Sequence, residues 1–433
     1  MIPLKPVPAA ANAAVGRTVA APAHLRRLLD APHRLGFFAG LALLGVASLW
    51  WAAMLVLRHG GVVVPWHVAP TTAHALLMVY GFMPLFFVGF LFTAGPRWLM
   101  VPPPPARRLL APVLAMGLGW LVALAGMHRA VPVAALGLTL AALGFALLAG
   151  RFALLVMQSR VPDRDHARVV LAGCVVVVVG LLAAALGVAL RLDALPRAAA
   201  LFGLWGGIAV VFVAVAHRMI PFFTASALPA VDAWRPRVLL AILTGLVALQ
   251  APWAAADVLA PAAQAPWWLA LRALVEGAGA ALLLWLAVRW GLMQSLRVRL
   301  LAMLHMGFFW LGIAFALSAV SHALMAASEG ALSLGLAPLH AFTMGYLGSM
   351  LMAMATRVIC GHGGRTLVAD RRVWAMFWVL QAAVLCRVTA ALWLALQVPL
   401  TLLAAHFWVA AVAAWALRYG LWLLEPRADG QPG

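Results

Sequence analysis

Residues 338–365 read PLHAFTMGYLGSMLMAMATRVICGHGGR, an apolar segment of the length that crosses a membrane. The segment carries His340 near its start, four methionines, two helix-face glycines and a second histidine in a glycine-rich exit. His340 and Met344 lie four residues apart and therefore share a helix face, with Gly345 and Gly348 leaving a shallow surface beside them. This combination suits a flat cofactor or a soft metal ion. Intramembrane histidines also hydrogen-bond between helices, and small residues also bring helices close together, so both interpretations stay open.

The composition is that of a multi-span membrane protein, because 66% of the residues are hydrophobic, 9% are charged and the mean hydropathy is +1.04. A crossing needs about 20 apolar residues. About twelve runs reach that length, namely 35–57, 73–95, 108–127, 130–150, 168–190, 198–221, 237–259, 267–290, 299–325, 335–357, 373–395 and 398–424. Because the runs are continuously apolar rather than alternating, they predict an all-α polytopic bundle and not a barrel.

The basic residues of the chain are concentrated in alternate loops between the predicted spans. The chain has 30 Lys and Arg residues and 11 Asp and Glu residues, which gives a formal net charge of +19. Most of the basic residues fall in alternate loops. This is the positive-inside pattern, which predicts both termini in the cytoplasm, a lipid bilayer as partner and no nucleic acid. The domains follow as a basic cytoplasmic tail at 1–34, a transmembrane domain at 35–424 and a short cytoplasmic tail at 425–433.

Orienting the spans by this charge rule sorts six histidines into two layers. The outer layer contains His74, His322 and His340, and the inner layer contains His217, His305 and His362. Either layer could supply an axial pair to a haem or three imidazoles to copper. His166 falls in a charged loop and is interpreted as solvated, and His406 is interpreted as an interior polar group outside both layers.

Several polar residues lie inside predicted spans. Glu276 is in span eight with Arg272 one turn earlier, and Arg387 is in span eleven. A lone charge at such depth costs roughly 3 kcal/mol or more. Glu276 is therefore expected to pair with Arg387 or Arg272, as a structural lock or as a step of a proton path. Pro84 in span two predicts a kink, because proline cannot donate a helical hydrogen bond.

Near the inner end of span six, Arg218 could extend toward the membrane surface or bind an anionic group such as a haem propionate. Both interpretations of this arginine stay open.

Several stretches of the chain resemble the NnrS family of bacterial membrane proteins. They are His74-Ala75 with Met78, Gly81 and GFLFTA at 89–94; RMIPFFT at 218–224; LHMG at 304–307; LHA at 339–341; and Thr356-Arg357 with GHGGR at 361–365. The family commonly has HAHEM at the start of the second span. This chain has Leu76 and Leu77 in place of the second histidine and the acidic residue, and His322 could replace the lost ligand.

The resemblance implies a twelve-span protein of the bacterial inner membrane that binds haem, of b type, and copper. It also implies a link to denitrification and nitric oxide tolerance, with nitric oxide or a related small ligand, an unidentified electron donor and a redox activity. The cofactor-binding candidates that it carries over are His74, His305, His340, His362, Arg218 and Arg357. The candidate metal ligands are His74, His340, His322, His305 and His217. The alternatives are a secondary transporter with structural histidines, or a structural or assembly partner of another complex.

Overall fold

A computed structural model describes residues 23–260 and 265–431, and these residues form helices with no strand among them. Eleven helices in this part of the chain are long and apolar enough to cross a membrane, which confirms the predicted all-α polytopic bundle. We number twelve long helical segments as α1 Pro32–His59, α2 Pro70–Leu99, α3 Arg107–Arg129, α4 Val131–Gln158, α5 Asp165–Ala189, α6 Ala194–Ala227, α7 Arg237–Leu259, α8 Pro266–Arg289, α9 Arg299–Ala327, α10 337–362, α11 Arg371–Leu392 and α12 Gln397–Leu424.

Of these twelve segments, only α10 is not among the eleven candidate membrane spans of the described residues. It contains most of the stretch 338–365 with which the sequence analysis began. It runs as a helix through Ala337–His340, a wide π-helical part at Ala341–Gly348, and Ser349–His362. Its histidine, hydroxyl and glycine residues make it less apolar than the other spans. It is largely buried in the protein, so it needs less hydrophobicity than a helix that faces lipid.

The centre of the bundle is formed by the helices that the protein itself covers. In α2, 89% of the most apolar window is buried, and the corresponding share is 72% in α6 and 67% in α9. In the last span, which ends with α12, it is only 22%, so most of that surface is free to contact lipid. The neighbouring pairs α3–α4, α8–α9 and α11–α12 pack along their lengths, as short connections dictate.

Glycines allow one of these pairs to pack backbone against backbone. A Cβ atom added at Gly126 in α3 would overlap the backbone of Ala134, and one added at Gly137 in α4 would overlap the backbone of Ala123. Close approach through small residues is a common way to hold membrane helices together.

The predicted kink in span two is present. The helix ends at Tyr80, restarts at Met83 and has Pro84 in the first turn of its second half. Proline has no N–H, so it cannot donate to the carbonyl of Tyr80 four residues earlier. The indole Nε1–H of Trp120 donates to that oxygen instead, at 3.0 Å. The freed carbonyl is thus satisfied inside the bundle, as burial requires.

Two wide π-helical turns meet in the centre of the bundle. One is Leu204–Ala209 in α6 and the other is Ala341–Gly348 in α10. The ring of Trp205 stacks on the ring of Phe342 with centroids 4.0 Å apart and planes 20° apart. The two turns are therefore joined by an aromatic contact.

Candidate functional site

Two of the three predicted outer histidines lie near the starts of long helices, at the end of the bundle opposite the arginine-rich loops. They are His74 of α2 and His340 of α10. The ring of Trp51 stacks on His74 with centroids 4.1 Å apart and fixes its orientation. His340 Nδ1 donates to the carbonyl of Leu336 at 2.9 Å, so the neutral ring presents Nε2 as a lone pair.

The third outer histidine is held elsewhere, and the predicted ion pairs of Glu276 are wrong. Nδ1 of His322 lies 2.6 Å from Oε2 of Glu276. Arg272 instead forms two hydrogen bonds to Asp257, at 2.7 and 3.0 Å. The cause is the position of each residue along α8. Arg272 lies one turn nearer the start of the helix, beside the end of α7, whereas Glu276 contacts His322 of α9.

The predicted inner layer does not converge on one point. His217 Nε2 donates to the carbonyl of Pro236 at 3.3 Å, and its Nδ1 lies 3.0 Å from Nε2 of His166. His305 is fully buried, and its Nε2 lies 2.8 Å from the hydroxyl of Thr224. These histidines therefore bond to different partners within the described residues.

The interpretation of His166 as a solvated loop residue is wrong, because it is buried in the first turn of α5. His406, interpreted as interior, is instead exposed on α12, where Nδ1 bonds to the carbonyl of its own helix at Leu402, 2.7 Å away.

His362 has a partner that the sequence did not predict. Its ring lies against the ring of His33, with centroids 4.8 Å apart and planes 37° apart. His33 is buried at the start of α1. The next residue, Arg34, donates to the carbonyls of Leu423 and Glu425 at 2.8 and 2.7 Å, which anchors the start of α1 to the end of α12. The sequence feature that could have indicated a role for His33 and Arg34 is their position directly before an apolar run.

Two adjoining cavities open at the arginine-rich end, and His362 lines both. They have volumes of about 520 and 710 Å³ and share Thr93, Arg97 and Arg427 as further lining residues. The smaller cavity is also lined by His33 and by the proline-rich loop after α2. The hydroxyl of Thr93 is buried without a hydrogen-bond partner, so a polar group in either cavity could satisfy it.

The larger cavity combines apolar walls with a set of arginines. Its apolar walls include Phe90, Trp98, Phe222, Phe223, Val358 and Leu367. Its arginines are Arg97, Arg218, Arg235, Arg357 and Arg427. Among these described arginines only Arg427 pairs with a carboxylate, that of Asp429 at 2.6 Å. Arg357 lies over the ring of Phe223, 3.8 Å from its centroid, and Arg218 lies over Trp98 at 4.8 Å. The cavity can therefore accept a flat ligand that carries negative charge.

The shallow surface expected at Gly345 and Gly348 is already covered by the protein's own rings. A Cβ atom at Gly345 would meet the indole of Trp310, and one at Gly348 would meet the indole of Trp408. A flat group does lie against these glycines, as their spacing suggested, but it is tryptophan. This finding removes that face of α10 as a cofactor surface.

The described residues contain no group of three or more His, Cys, Asp or Glu side chains placed to share a metal ion. The three-imidazole set expected for copper is thus not brought together in this part of the chain.

These helices define a multi-pass α-helical membrane protein with a histidine- and arginine-lined cavity at one end. The family model described as NnrS protein matches residues 27–427, so the chain belongs to the NnrS family. No curated protein and no solved structure matched the chain.

Proposed function

We propose that the protein binds haem in the larger cavity and acts in nitric oxide tolerance or denitrification-linked redox chemistry in the bacterial inner membrane. The observation that carries the proposal is the cavity itself. It unites apolar aromatic walls, four arginines without a carboxylate partner in the described chain, and the imidazole of His362. This is the chemistry that an iron-containing, flat and doubly carboxylated macrocycle requires.

Three features of the larger cavity support haem as its ligand. A volume of about 710 Å³ is within the range of small-molecule and cofactor sites. Arg218 and Arg357 are half-buried at the mouth and can form bidentate hydrogen bonds to carboxylates, which a lysine could not do as well. His362 lies at the end of α10 with its ring on the cavity wall, where it would hold the haem iron.

When bound there, haem would supply an iron centre that binds nitric oxide and exchanges electrons. The role of the protein would be to hold that group. His362 would fix its iron, the arginines would hold its carboxylates, and Phe90, Phe223 and their neighbours would exclude water. The cavity opens at the arginine-rich end, which is the end where we expect the cytoplasm and an electron donor.

Copper fits the described residues less well than haem. His322, expected to complete the outer set, is bonded to Glu276. Leu76 and Leu77 occupy the positions where the family commonly has a histidine and an acidic residue. His74 and His340 are the candidates that remain for a second metal, while His217 and His305 are each held by hydrogen bonds to neighbouring residues.

The test is haem content and the absorption spectrum of the full-length protein, purified from cells supplied with haem. We expect a Soret band in the wild type, its loss in His362→Ala, and reduced haem content in Arg357→Ala. His406→Ala and Arg289→Ala are matched controls. His406 is an exposed span histidine, and Arg289 lies over Trp234, away from the lining of the cavity.

Two results would contradict this assignment. If His362→Ala kept its haem while His74→Ala lost it, the site would lie at the opposite end of the bundle. If the wild type bound no haem and vesicles containing it took up a substrate, a secondary transporter would be the better assignment. Unchanged spectrum and phenotype in all the histidine variants would favour a structural or assembly role.

A further inference from the structure

We propose that residues 425–431, which follow α12, form a strap that closes both cavities at the arginine-rich end and opens to admit a ligand. The strap crosses the end of α10 beside His362, because the amide of Ala428 donates to the carbonyl of Gly363 at 2.9 Å. Arg427 of the strap lines both cavities. One short segment thus contributes to the wall of each cavity, so its displacement would open both.

The start of the strap is fixed to the rest of the bundle. Arg34, which is buried at the start of α1, donates to the carbonyls of Leu423 and Glu425 at 2.8 and 2.7 Å. The carboxylate of Glu425 forms an ion pair with Arg365, which follows the end of α10. The strap therefore has one anchored end, about which the residues after Glu425 can turn.

A glycine provides the surface on which the strap rests. Gly364 has a φ of +65°, and a Cβ atom added there would overlap the carboxylate of Asp429. Asp429 also accepts two hydrogen bonds from Arg427, at 3.0 and 2.6 Å. The same carboxylate therefore contacts the exit of α10 and orients the arginine that lines the cavities. A side chain at position 364 would hold the strap away from α10.

Beyond its anchored end the strap is held weakly. Each of residues 425–431 is exposed except Arg427, which is half-buried. The ion pair to α10 is also open to water, since the side chain of Glu425 is 50% exposed. Exposed ion pairs contribute little to stability, and segments with few buried apolar contacts open locally at low cost. The strap can therefore open while the helices stay folded.

Opening of the strap should change access to the cavities more than their charge. Arg427 and Asp429 are paired with each other and both lie on the strap. They would move away together, so the net charge around the cavities would stay the same. The expected effect is therefore on the rates at which a ligand enters and leaves.

The test deletes residues 426–433 and follows the modification of His362 by diethyl pyrocarbonate in haem-free protein, with mass spectrometry of each histidine. We expect His362, which lines both cavities, to react severalfold faster in the shortened chain than in the full chain. His406 is exposed on α12, serves as the control within the same molecule and should react at an unchanged rate. An unchanged rate at His362 would overturn the proposal.

A single methyl group should give the same effect without shortening the chain. Gly364→Ala should displace Asp429 and speed the modification of His362, and it should add nothing in the chain that lacks residues 426–433. Gly330→Ala is the matched control, because Gly330 has a φ of +87° but a Cβ atom there meets no atom within 4 Å. An equal effect of Gly364→Ala with and without residues 426–433 would show backbone strain alone and contradict the strap.

The effect on haem rests on the proposed function and is measured separately. The deletion should make both haem uptake and haem loss severalfold faster. Arg427→Ala, which leaves the strap in place, should not speed uptake. Faster uptake in both variants would assign the effect to the arginine and overturn the strap. Faster modification of His362 in a protein that binds no haem would support the strap and refute the haem site.

Discussion

The imidazole rings of His33 and His362 lie against each other at a tilt of 37°, with centroids 4.8 Å apart, and this contact joins the first long helix to the tenth. Both rings line the smaller cavity, and only His362 also lines the larger one. His33 therefore supports the ring that we propose as the haem ligand but does not line the cavity proposed for haem.

His33→Ala should leave haem bound but alter its coordination. Removal of the supporting ring lets His362 rotate, so we expect a shifted Soret band and faster haem loss, whereas His362→Ala should abolish the band. Absorption spectra and transfer of haem to an acceptor protein measure both effects. An unchanged band and unchanged haem loss in His33→Ala would show that the contact is packing alone.

Asp429→Asn should increase the affinity of the larger cavity for haem. Asp429 accepts two hydrogen bonds from Arg427, at 3.0 and 2.6 Å, and these bonds lower the pKa of Asp429 to about 2. A depressed carboxyl pKa means that the pair is intact above that value and is lost only as the pH falls through it. The charge of Arg427 is thus balanced by Asp429 at every physiological pH. Asn at position 429 would leave the positive charge of Arg427 free to interact with an anionic group in the cavity. Titration of haem-free protein with haem at pH 7 tests this, and a weaker affinity would contradict it.

His322→Ala should destabilise the protein more than Glu276→Gln does. Glu276 is buried, and its Oε1 already has no hydrogen-bond partner. Loss of His322 would leave the whole carboxyl group unpaired, at a cost of about 1–3 kcal/mol in the free energy of unfolding. The amide of Gln can still bond to the imidazole, so a smaller cost is expected. Unfolding in mixed detergent micelles measures both variants, and equal stabilities would show that the pair contributes little.

Gly137→Leu should separate α3 from α4. A side chain at this position overlaps the backbone of Ala123, so relief requires the two helices to move apart, at a cost of about 1–3 kcal/mol. Gly117→Leu is the matched control, because a Cβ atom there meets no atom within 4 Å. Thermal unfolding of the two variants gives the comparison, and similar melting temperatures would contradict close glycine packing as a source of stability.

The helices could be predicted from the sequence because the bilayer imposes a minimum apolar length. The run predicted at 237–259 is the helix Arg237–Leu259, and the other bounds differ by at most eight residues, the largest difference being at the end of Val131–Gln158. The π-helical turn Ala341–Gly348 could not be predicted, since hydropathy reports how apolar a residue is and not which carbonyl its amide contacts. The side on which the termini lie stays a prediction of the charge rule.

The site was only partly predictable because the charge rule gives the depth of a residue and not its direction. Arg218, Arg357 and His362 were chosen from the sequence, and the structure gathers them around one cavity. His305 had the same predicted depth as His362 but faces Thr224, which only packing can decide. His33 was overlooked because it falls where the tail was expected to end.

The wide turn at Ala341–Gly348 also sets the angular phase between the two halves of α10. A π-helical turn holds an extra residue compared with the α-helical turn that it replaces. Deleting a single residue there would rewind the segment as ordinary helix and swing everything before it through about 100° relative to everything after it. The direction in which His340 points around the helix axis, relative to His362, therefore depends on the one extra residue in this turn. The orientations of the side chains at the two ends of α10 are coupled through it.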